Sequence, residues 1–218
     1  MLAYVFWHRP LDGSEVDSYE QALAHFHRSL AHAPPAGFQS SAVFRIPALP
    51  SELPWLGSAG AAQTQQAPGA SPAGYEDWYF VEDYTALGVL NMAAVSHGHR
   101  TVHDAVAHRF GAGAGGLYGL IEGHPPIEPG AFDGESVAVW VGRSPGVQRR
   151  ALGELLGDGM DSRYASLWRR QLVLGPGPEF CLLSSNRAKL GLPAGVAPIR
   201  LPEGWTASVF EREALWHG

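Results

Sequence analysis

The chain has 218 residues, 45% of them hydrophobic and 17% charged, enough for one large domain or two small ones with a buried core. Its net charge of −6 argues against a nucleic-acid partner, which calls for a basic face. The single cysteine, Cys181, excludes an internal disulfide and fits a reducing compartment. The opening MLAYVFWHRP lacks the basic stretch and long apolar run of a secretion signal, and no window approaches the ~20 apolar residues of a membrane span. A soluble, cytoplasmic protein is expected.

The first element, residues 2–8, is aromatic and β-branched and reads as a strand. Residues 17–33 read as a helix: Ser18 with Gln21 has the spacing of a capping box, Tyr19, Ala22, Leu23, Phe26 and Leu30 share one face, and Pro34 and Pro35 end it. His25, His27 and His32 fall on or beside its polar side. Strands follow at 37–46 and 75–83, then a second helix from 84 to 95. Gly98 interrupts that helix, and Thr101 with Asp104 predicts a capped restart. GAGAGG (111–116) reads as a helix C-cap and turn, and 115–123 as the fourth strand. The second half repeats the order with a strand at 136–142, a helix at 146–157, a hairpin over 165–175 and 178–185 turning at 175–178, a short helix at 186–192 and a last strand at 205–216. Between the second and third strands, residues 47–74 are rich in Pro, Gly, Ala and Gln and read as an irregular insertion, either folded over a pocket mouth or loosely attached.

The order β-α-β-β-α-β, read twice, is that of a ferredoxin-like unit. Two units are expected, 1–128 with the insertion and 129–218 with a reduced last helix. YVFWHRP (4–10) and VAVWVGRSP (137–145) support a duplication that would match Trp7 with Trp140. The whole resembles the dimeric α/β-barrel superfamily in tandem, single-chain form: an α+β fold whose two antiparallel sheets pack together. The resemblance implies a soluble small-molecule binder, with monooxygenases, isomerases and haem-binding proteins among the superfamily, and leaves a non-catalytic carrier, sensor or self-associating protein open. Which cofactor it would use, if any, is unknown.

Residues 95–110 carry His97, His99, His103 and His108. On a restarted helix His103 lies at the edge of the apolar stripe of Val102, Val106 and Phe110, while His108 pairs outward with Asp104. On an unbroken helix His99 and His103, four apart, would be the pair able to chelate a metal or ligate haem; no H-E-x-x-H or Cys pair supports either. Strand alternation places Trp7 with Val5 and Arg9, opposite Tyr4, Phe6 and His8, and Trp78 with Phe80, opposite Asp77 and Tyr79. The candidate acid–base residues are therefore His103, Tyr79 and Asp77, and the candidate ligand-binding residues Trp7, Arg9, Trp78 and Trp140, although such aromatics equally suit a thick core. Cys181, in an apolar strand, reads as a core thiol.

Overall fold

The computed structural model describes residues 1–46, 74–128, 130–132, 136–143, 165–171, 178–185, 203 and 205–218. The 47–74 insertion, except its last residue, and the helices expected at 146–157 and 186–192 lie outside the described residues. The elements are β1 (Leu2–Pro10), α1 (Val16–His32), β2 (Phe38–Ile46), β3 (Gly74–Val81), α2 (Tyr84–Ser96), α3 (Arg100–Ala107), β4 (Phe110–Gly123), β5 (Val137–Arg143), β6 (Ala165–Arg170), β7 (Phe180–Ser184), β8 (Trp205–Glu211) and β9 (Glu213–His217). All described strand pairs are antiparallel.

The sheet order is β8-β5-β7-β6-β4-β1-β3-β2-β9. Its two halves, β4-β1-β3-β2 and β8-β5-β7-β6, have the same ferredoxin-like arrangement, the fourth strand beside the first and the third between first and second. The sheet's two ends are consecutive in the chain: β8 pairs with β5 and β9 with β2, with Arg212 alone between them. The last strand therefore closes the sheet into a barrel, the tandem dimeric α/β-barrel form expected from the element order, with no free edge between its ends.

Inside the barrel, Ala3, Val5, Trp7, Phe44, Trp78, Phe80, Trp140 and Trp168 form one core. On the outer face of the first half, α1, α2 and α3 pack Leu23, Phe26, Leu30, Leu90 and Val106 against Val43, Tyr79, Val81 and Leu117. Alternation along β1 and β3 falls as the sequence predicts.

Local details differ. Glu15, not a Ser18–Gln21 box, caps α1, its carboxylate accepting from the Asp17 and Ser18 backbone N–H groups at 3.2 and 2.6 Å; an acidic group suits the positive end of the helix. The interruption at Gly98 is real, but α3 starts at Arg100 without a side-chain cap. Asp104 turns instead to Arg100 and His103. GAGAGG is strand, not turn: β4 begins at Phe110 and pairs with β1 from Phe110 to Gly119.

Candidate functional site

A cavity of about 600 Å³ opens between the β1–β3 sheet and the helices, a size suited to a small organic ligand. Tyr4, Phe6, Phe26, Tyr79, Tyr84 and Phe110 supply its aromatic lining, Leu87, Leu90 and Ala94 come from α2, and Asp77, Asn91 and His103 add polar groups. Its floor is flat for a local reason. Along β1, the Tyr4 and Phe6 rings are within 12° of parallel, and Phe6 continues at 24° to His8. These rings lean over Gly113 and Gly115 of β4. A Cβ at Gly113 would sit 2.5 Å from Phe6 Cζ, and one at Gly115 would overlap the Tyr4 hydroxyl.

Behind the Asp77–Tyr79 side of the cavity is a buried polar network. Asp77 Oδ1 lies 3.1 Å from His8 Nε2, and the Tyr19 hydroxyl lies 2.7 Å from His8 Nδ1. This geometry fits a tautomer in which Nε2–H donates to Asp77 and Nδ1 accepts from Tyr19. The Tyr79 hydroxyl donates to Asp77 Oδ2 at 3.1 Å and lies 3.4 Å from His27 Nε2, which is itself 3.7 Å from the same carboxylate oxygen. His27 Nδ1 is 2.8 Å from Ser41 Oγ. His8, His27, Asp77 and Ser41 are all essentially inaccessible to solvent. Burial alone would raise the Asp77 carboxyl, but His8, then His27, hold it well below the ordinary carboxylate range. Burial, reinforced by the Asp77 charge, pushes the Tyr79 hydroxyl well above its ordinary value. The cavity therefore meets an ionised carboxylate and a protonated phenol.

Asp77, Tyr79 and His103 thus share one cavity. His103 stands near its rim, its side chain 27% exposed, edge-on to Phe26 with ring centroids 5.5 Å apart and 3.3 Å from Asp104. The tryptophans do not join them. Trp7, Trp78 and Trp140 face the barrel interior, where each indole N–H donates to Glu76, at 2.9, 2.6 and 3.3 Å, and Arg212 Nη1 adds a fourth donor at 2.6 Å. Buried indoles need an acceptor, and Glu76 provides it; these rings build the barrel core rather than the cavity wall. Arg9 follows Trp7 in the alternation and does not line the cavity. His99 is no partner for His103: its two nitrogens contact Ser29 Oγ at 3.0 Å and the Ala33 carbonyl at 2.9 Å, tying the start of α3 to the end of α1. With both nitrogens used, the His99/His103 pair does not fit a metal or haem, and no described group of three or more His, Cys, Asp or Glu is arranged around an ion. Cys181 is enclosed; burial foremost, then the Glu76 charge, pushes its thiol well above its usual range.

Two residues escaped the sequence reading. His25 and His32 are exposed as expected, but His27 is buried. Its position gives the signal: it is four after Leu23 and three before Leu30, within the apolar stripe, where spacing outweighs the polarity of an imidazole. His8 was placed on the correct face, but its pairing with Asp77 spans 69 positions.

Among the described residues, only the first unit carries this polar site. By strand register, Asp77 corresponds to Leu182 and His8 to Val141, so neither the carboxylate nor the imidazole recurs at the matching positions of β5 and β7.

No protein-family model and no curated protein matches this sequence. Solved structures do. An anthrone oxidase-like protein superposes over 100% of this chain and 92% of its own, with a TM-score of 0.54 and 11% identity. A monooxygenase-like protein from Lactobacillus acidophilus NCFM superposes over 99% of this chain and 95% of its own, with a TM-score of 0.53 and 6% identity. At such identities the likeness concerns the fold alone. Among the described residues, no helix is long and apolar enough to cross a membrane.

Proposed function

We propose that the protein binds a flat, largely apolar aromatic molecule between the sheet and helices of its first unit, residues 1–128, and acts on it as an enzyme of the monooxygenase-like kind. The observation that carries this reading is the cavity itself: a floor of near-parallel Tyr4 and Phe6 rings meeting one polar corner of Asp77 and Tyr79. A planar ligand stacks on the floor and aims its polar edge at that corner. Such a corner suits acid–base work on a weakly acidic O–H or C–H group, with His103, the most solvent-accessible titratable group of the three, exchanging protons with water. Neighbours described as an anthrone oxidase-like protein and a monooxygenase-like protein support an oxygen-dependent enzyme over an isomerase.

Native mass spectrometry of freshly purified protein, followed by fluorescence titration with 1-naphthol, tests the binding. We expect one ligand per chain and a loss of about tenfold in affinity for Phe6→Ala, equivalent to one aromatic contact. Oxygen uptake in the presence of polycyclic phenols then separates enzyme from carrier, and unaltered, recoverable ligand with no uptake would favour the carrier. Absence of saturable binding by the wild-type protein would end the reading.

A further inference from the structure

We propose that His27, backed by Asp77, is a proton acceptor behind Tyr79, so that an aromatic ligand with a weakly acidic hydroxyl is held as its anion while its proton stays in the protein. The inference rests on the cavity described above as the ligand site and adds a charge state and a route.

Two imidazoles and a carboxylate inside an aliphatic–aromatic core are costly, because each must be desolvated. In the second unit the strand positions that correspond to Asp77 and His8 hold Leu182 and Val141, so the strand pairing does not require those two polar groups. Ser41 Oγ lies 2.8 Å from His27 Nδ1 and can accept a hydrogen bond from it. In that tautomer the Nε2 lone pair is 3.4 Å from the Tyr79 hydroxyl, which reaches it by turning from Asp77 Oδ2. Tyr79 lines the cavity and His27 does not.

The step balances without another reactant. The ligand O–H bond breaks and its proton goes to Tyr79 Oη, while the Tyr79 proton passes to His27 Nε2. The bonding electrons stay on the ligand oxygen, which then accepts a hydrogen bond from the re-formed Tyr79 O–H. The new imidazolium sits 3.7 Å from Asp77 Oδ2. The titratable groups around His27 are Asp77 and Tyr79 from β3, with His8 of β1 and Tyr19 of α1 beyond them. Its other neighbours, Ser41 of β2 and Trp216 of β9, carry no charge. Of these, only Asp77 supplies a compensating anion.

The probe is 4-nitrophenol, whose phenol and phenolate absorb differently. Equilibrium dialysis measures its binding, and absorbance against pH gives the ionised fraction when bound. At a pH where roughly one tenth of the free probe is ionised, most of the probe bound to wild-type protein should be phenolate; His27→Gln and Tyr79→Phe should each lower that fraction about fivefold or more, towards the free value. Tyr79→Phe keeps the ring in place and decides the matter if His27→Gln does not fold. Both folded variants binding the probe in the wild-type ionised fraction would overturn the relay and leave the cavity reading intact. No dialysable binding to wild-type protein would overturn both.

Discussion

Asp77 illustrates how much one residue's neighbours decide. A carboxylate with no solvent contact would ordinarily take up a proton; here the imidazoles of His8 and His27 reverse that tendency, and the folded-state value falls below the unfolded one. The sign follows directly. The stabilisation is fully present above the ordinary aspartate range and is lost as pH falls below about 4 towards the depressed folded-state value. Wild-type protein should therefore show an acid limb in its melting temperature that Asp77→Asn lacks. At neutral pH, Asp77→Asn should be less stable by about 3 kcal/mol, because two buried imidazoles lose their anion. Thermal unfolding across a pH series checks both, and superimposable acid limbs would refute the assignment. Alternation alone revealed that Asp77 and Tyr79 share a face with each other, and His8 with Tyr4 and Phe6. It could not reveal that those faces meet, because the pairing of β1 with β3 is a tertiary choice across an insertion.

At the scale of elements, β4 sets the cavity. Its glycines carry little strand propensity of their own, which is why the sequence suggested a turn. Pairing with β1 from Leu2 to Pro10 overrides that weakness, and the missing side chains make room for rings that a Cβ would displace. Gly113→Ala should tip Phe6 into the cavity. We expect 1-naphthol affinity to fall roughly tenfold, the loss of about one aromatic contact. The melting temperature should change much less. Gly119→Ala is the comparison: the nearest atoms to its Cβ belong to the Gln171 side chain, Nε2 at 2.5 Å, a flexible group that meets the cavity only through the Tyr84 hydroxyl at 3.3 Å. Equal effects from the two substitutions would mean that β4 glycines serve the strand and not the cavity. The helices were more legible, since α1, α2 and the break at Gly98 follow from apolar spacing and a helix-breaking residue. Their caps were not, because several acidic or hydroxyl residues near each start compete for the same backbone donors.

For the whole molecule, the repeated element order was enough to indicate two ferredoxin-like units and a barrel, since a sheet with helices on one face must cover the other. How the barrel closes depends on Arg212, which the sequence shows only as one charge within a strand. At the break between β8 and β9 the backbone of Arg212 is partly exposed while its side chain is enclosed, ion-paired to Glu76 and stacked on Phe44 with its guanidinium carbon 3.9 Å from the ring centroid. Register also exposes an asymmetry: Glu76 lies opposite Trp7 as Cys181 lies opposite Trp140, so of these two positions the first unit's supplies the acid, and Arg212, between β8 and β9, supplies its cation. Trp7 and Trp140, with ring centroids 5.1 Å apart, converge on that one carboxylate. Removing either partner strands a buried charge, whereas removing both takes out the charges but also the Glu76 carboxylate that accepts from the Trp7, Trp78 and Trp140 indoles. Arg212→Met and Glu76→Leu should each destabilise by about 3–5 kcal/mol, and the double variant should lose less than the sum of the two, the part it does not recover being the cost of the indole donors that Glu76 served. Guanidinium unfolding monitored by tryptophan fluorescence gives all four corners of the cycle. Single-variant losses that simply add would show that Arg212 and Glu76 hold the closing strand independently and not as a pair.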